Sequence, residues 1–110
     1  MTAADISARV NRKEQALRAV AAASETVIAA KADLEFIKTR YTLEGLEGTN
    51  DKQRQAELVG KTEREREEVA LAEKTWREAQ LALELASLQV QEVTLLISFA
   101  ALPPESAGVL

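Results

Sequence analysis

The chain has 110 residues, 14 of them basic and 18 acidic, for a formal net charge of −4, and that length suits one small domain. Ala, Glu, Leu, Arg and Lys supply 63 of the 110 residues, the composition of long helices and coiled coils, while 4 Gly and 2 Pro are too few turn residues for a many-stranded sheet. With no His and no Cys, disulfides, thiol chemistry, His-based catalysis and most transition-metal sites are excluded.

The first fifteen residues carry no apolar core of the kind a secretory leader has, so none is expected there. Residues 3–44 then contain neither Gly nor Pro, and a first helix is predicted over them. Its apolar stripe reads Ile6, Val10, Lys13, Leu17, Val20, Ser24, Val27, Lys31, Leu34. Beside it runs a band of Ala, from Ala16 and Ala19 through Ala21–Ala23 to Ala29, Ala30 and Ala32. Phe36, Ile37 and Tyr41 add bulk near its end. Four bases, Arg9, Arg12, Lys13 and Arg18, stand against one acid, Glu14. They form a candidate nucleic-acid contact, set against the plainer reading of a solvated helix face. No aromatic residues interleave with them to stack on single-stranded bases.

The turn-rich stretch is residues 45–50. Gly45 and Gly48 read as helix stop and link, and Asn50 as the cap of a second helix. That helix is predicted over residues 51–102, stopped by Pro103-Pro104, with a frayed tail to Leu110. Gly60 lies inside it and costs about 1 kcal/mol relative to Ala; it is read as tolerated, the alternative being a break there.

From residue 58 the second helix keeps an unbroken 4-3 spacing through Leu58, Thr62, Glu65, Val69, Ala72, Trp76, Ala79, Leu83, Ala86, Val90, Val93, Ile97 and Ala100. This is a coiled-coil seam of large residues alternating with small ones. Val69, Trp76, Leu83, Val90 and Ile97 are its predicted large members. Thr62 and Glu65 interrupt it, so a looser, wetter turn end is expected. A second stripe, Leu81, Leu85, Leu88, Leu95, Phe99 and Leu102, is broken only at Glu92 and falls on the opposite side. A helix apolar on two faces is buried on two faces. Folding about residue 47 leaves residues 94–102 without a partner in the hairpin, so another chain is expected to cover them. The expected fold class is therefore all-α: a long antiparallel helical hairpin assembling into an oligomeric bundle, a dimer or higher.

The carboxylates between Glu63 and Glu78 interleave with Lys and Arg at ion-pair spacing, the pattern of a solvated surface. No cofactor, metal site or catalytic residue is expected. The longest strongly apolar run, residues 93–102, is half the roughly 20 residues a membrane span needs, so no membrane is expected either.

At the turn, Gly48-Thr49-Asn50-Asp51-Lys52-Gln53-Arg54-Gln55-Ala56 resembles a group of small helical proteins of tailed bacteriophages and prophages. In these, two long helices meet through Gly-x-Asn-x-x-x-Arg-x-Ala, matched here by Gly48, Asn50, Arg54 and Ala56. Thr49 stands where that group more often has a basic residue, and the first helix is richer in Ala. The resemblance implies a phage-encoded accessory protein in a bacterial cytoplasm, and no activity. The expected function is a non-enzymatic scaffold or adaptor that binds another protein, in DNA replication or recombination. The alternatives are a single-strand mediator using Arg9, Arg12, Lys13 and Arg18, or a virion assembly component.

Overall fold

The computed structural model describes residues 1–101; Leu102, the Pro103-Pro104 stop and the tail to Leu110 lie outside the described residues. Three helices follow in order, α1 (Ala3–Glu44), α2 (Asp51–Lys61) and α3 (Glu63–Ala100). The fold is an all-α helical hairpin, with no strand among the described residues.

α1 starts on a reciprocal cap. The Thr2 backbone N–H and hydroxyl both donate to Asp5 Oδ2 at 2.9 Å, and the Asp5 N–H donates to Thr2 Oγ1 at 3.2 Å. Its end is a left-handed Gly45, φ +98°, a conformation that costs L-residues with a Cβ. Asn50 then caps α2, accepting the Gln53 N–H at 2.9 Å.

The second arm is not one helix. It is interrupted at Thr62 (φ −110°, ψ 19°), two residues past Gly60, which corrects the continuous helix expected over 51–102. The local chemistry explains the break. Gly60 and the β-branched Val59 weaken the helix, and the Thr62 hydroxyl joins its own backbone N–H on the Leu58 carbonyl, at 2.6 and 3.0 Å. The Arg66 guanidinium satisfies the neighbouring Val59 carbonyl. Thr62 is fully buried, at 0% exposure, so the seam is not loose here as expected but closed around a satisfied hydroxyl.

The chain forms two compact units. In the first, residues 1–20 of α1 run antiparallel to residues 79–101 of α3. Arg9 Nη1 donates to the Gln89 carbonyl at 3.3 Å and to Glu92 Oε2 at 3.0 Å, and Arg12 Nη1 to Gln89 Oε1 at 3.3 Å. A fold about residue 47 would have set Arg9 level with residue 85, so the register is displaced by seven residues, two helical turns. Residues 94–98 therefore lie beside the start of α1 rather than beyond it. That start offers one large apolar side chain, Ile6, beside Ala3, Ala4, Asp5 and Ser7, too little to cover them all.

In the second unit, residues 21–78, Lys31 of α1 pairs with Glu73 of α3 at 3.3 Å. Lys61 Nζ lies 5.3 Å from the centroid of the Tyr41 ring and 3.4 Å from Glu57.

The seam on α3 follows its predicted positions as far as Val93: Ala72, Ala86 and Val93 are buried, and Val69, Trp76, Leu83 and Val90 half-buried. Ile97 departs from it, at 56% exposure, because only small residues of α1 reach that level. On α1 the seam takes the other phase. The seam residues turned inward are Ile6, Arg9, Lys13, Ala16, Val20, Ala23, Val27, Ala30, Leu34, Ile37 and Tyr41, a 3-4 repeat that replaces Val10, Leu17 and Lys31 with Arg9, Ala16 and Ala30 and buries Ala23 beside a half-buried Ser24. Ala at alternate seam positions lets the helix backbones approach, and the larger α3 side chains fill the space between.

Candidate interaction surface

The expected site is a surface rather than a pocket, and α3 builds it. Leu81, Leu85, Leu88, Leu95 and Phe99 are between 58% and 68% exposed. Each stands two residues from a seam position, roughly 200° around the helix, so the row lies outside the seam with α1. Leu96, at one flank, is also exposed, although it belongs to neither 4-3 series. Leu102, the expected end of the row, lies outside the described residues.

One charge interrupts the row. Glu92 is 59% exposed and is held by Arg9, itself only 25% exposed. Arg9 leaves a seam position on α1 to reach it. Along one flank of the row a groove of about 910 Å³ runs past Leu83 and Val90 and takes in Leu88 and Leu95 of the row itself, with Lys13 of α1 at its wall.

The four bases are thus not presented as one face. Arg9 and Arg12 bond to α3, Lys13 is half-buried and only Arg18 projects freely. The described part of this unit sets Arg9, Arg12, Lys13 and Arg18 against Asp5, Glu14, Glu84 and Glu92.

The turn residues do come together. A Cβ at Gly48 would meet Arg54 N at 2.7 Å and Gln53 C at 2.9 Å, so α2 begins against the link backbone. Arg54 bonds Asp51 at 3.1 Å, one turn back along its own helix. Glu57, which the sequence reading did not single out, accepts the Glu47 N–H at 3.0 and 3.1 Å and the Gly48 N–H at 3.2 Å. These bonds, the Glu47 N–H foremost, and Lys61 hold its carboxyl below the usual 4.5. The signal available was Glu57 on α2 four residues before Lys61, with a link whose N–H groups lack helical partners.

No group of three or more Asp or Glu among the described residues converges to hold a metal ion. α3 is long and apolar enough to cross a membrane by length and composition alone. No protein-family model, curated protein or solved structure matches the chain.

Proposed function

We propose that the protein is a non-enzymatic, oligomeric helical scaffold or adaptor. The exposed Leu81–Phe99 row carries this reading. Five large side chains stand in one line along the outer face of α3, and apolar patches of that kind mark contact sites. Covering each fully is worth about 1.5–3 kcal/mol. The partner we propose is first another copy, and through the assembled bundle another protein. The resemblance at Gly48, Asn50, Arg54 and Ala56 supports a phage-encoded accessory role in a bacterial cytoplasm, in DNA replication or recombination.

A lipid bilayer is the less favourable cover. Residues 78–110 contain no Lys or Arg, the residues that anchor helices to anionic headgroups, and Glu84 and Glu92 fall within the apolar stretch. Light scattering at micromolar concentration tests the reading, with a mass of at least two chains of 12.0 kDa expected. A clean monomer overturns it. The adaptor role is tested by pull-down from the infected host. A gel-shift titration with single- and double-stranded DNA is expected to show no complex at moderate salt.

A further inference from the structure

The second arm is broken at Thr62, and the two sides of the break match. α2 ends with the Thr62 N–H on the Leu58 carbonyl at 3.0 Å, and α3 starts with the Arg66 N–H on the Thr62 carbonyl at 2.9 Å. Between these bonds stand the first-turn donors of α3, the N–H groups of Glu63, Arg64 and Glu65, which a helix start leaves without intrahelical acceptors. The last carbonyls of α2 are those of Val59, Gly60 and Lys61. Each donor is four residues beyond one acceptor, the spacing of the α-helical ladder. One continuous helix would pair all three.

Arg66 holds the break open. Its guanidinium donates to the Val59 carbonyl, the acceptor that the Glu63 N–H would take. In a continuous helix Val59 and Arg66 would lie about 10.5 Å apart along the axis, with that carbonyl turned into the ladder, so the bond belongs to the open form. The open form also carries a cost, because Arg66 Nε is buried without a hydrogen-bond partner. Contacts that tie α2 elsewhere weigh against closing. Glu57 accepts the Glu47 and Gly48 N–H groups, and Lys61 stands 5.3 Å from the Tyr41 ring centroid. Each arrangement thus gains bonds that the other gives up.

We propose that Thr62 is a two-state joint. Arg66 is the positioning residue that keeps it open, and release of its guanidinium from the Val59 carbonyl joins α2 and α3 into one helix. The joint lies wholly within the unit of residues 21–78 and stands apart from the oligomer reading.

Amide hydrogen exchange followed by NMR reads the joint, since the Glu63, Arg64 and Glu65 amides are protected only when it closes. In the parent they should exchange faster than those of Val69, Ala70 and Leu71, by roughly tenfold or more. Arg66→Met keeps the apolar stem, removes the donor, and should slow the three amides toward the level of Val69–Leu71. A residue of merely structural value would leave them as fast or faster when removed. Gly60→Ala meets nothing within 4 Å of its new Cβ and favours the continuous helix, so it should slow them as well. Arg66→Met decides the matter where it folds, and Gly60→Ala where it does not. Fast exchange that persists in the deciding variant overturns the proposal, as does slow exchange in the parent.

Discussion

Gly48→Ala isolates how tightly the link is built. The new Cβ would lie 2.7 Å from the Arg54 nitrogen and 2.9 Å from the Gln53 carbonyl carbon, and both of these are backbone atoms of the first turn of α2. Neither can swing aside as a side chain could. Either the link moves away, which stretches the Glu57 bonds to the Glu47 and Gly48 amides, or α2 shifts and weakens the Asn50 cap. Overpacking of this kind costs about 1–3 kcal/mol. At about 4 °C per kcal/mol for a chain slightly above 100 residues, the melting temperature falls by roughly 4–12 °C. Gly60→Ala gives the opposite sign. Nothing lies within 4 Å of a Cβ there, and exchanging an exposed helical Gly for Ala gains about 0.5–1 kcal/mol, roughly 2–4 °C. Circular dichroism melts at one fixed protein concentration read both variants. An unchanged melt for Gly48→Ala, or a lower one for Gly60→Ala, refutes the account of the link and of α2.

Glu57 gives the link an acid limb. Its lowered carboxyl stabilises the fold fully above pH 4.5, the ordinary value, and that contribution fades as pH falls through the lower folded value. Glu57→Gln should flatten the acid limb of the melting curve, and the Glu47 and Gly48 amide resonances of the parent should titrate along it; an identical limb in the variant removes the assignment. Melting should also rise with protein concentration, because burial of the α3 row stabilises only the assembled state. A melting temperature constant over a hundred-fold range contradicts that coupling.

The first helix, its stop and the start of the second arm were legible because their signals are local. Two Gly-free, Pro-free stretches, the Asn50 cap and the Gly45 stop follow from backbone chemistry within a few residues. The α3 seam was legible because its alternation of Leu, Val, Trp and Ala is regular. The phase of α1 was not, since its two candidate stripes differ by one residue and ranking by hydrophobicity favours Leu17 over Ala16. Packing prefers the smaller side chain, because a partner helix that brings Trp76, Leu83 and Val90 needs the room. The register escaped for a related reason. The fold axis was placed on the two Gly, whereas long-range side-chain contacts, Arg9 with Glu92 and Arg12 with Gln89, mark how the first and last stretches pair. Thr62 itself looked like a defect in an apolar seam. Its hydroxyl finds the Leu58 carbonyl at 2.6 Å, and a polar group with a partner tolerates burial.

Arg9 links the seam of the hairpin to the outer row of α3. On α1 it occupies a seam position, where an apolar residue would pack better against α3. Its guanidinium instead passes to the Gln89 carbonyl and on to Glu92, the one charge in an otherwise apolar row. An exposed ion pair contributes little to the stability of a lone chain, about 0–1 kcal/mol, so that gain alone is a weak reason to give up a core position. It has a larger effect when the row is covered, since a buried carboxylate without a partner is strongly destabilising. In the proposed oligomer, Arg9 would keep Glu92 from being buried without a partner.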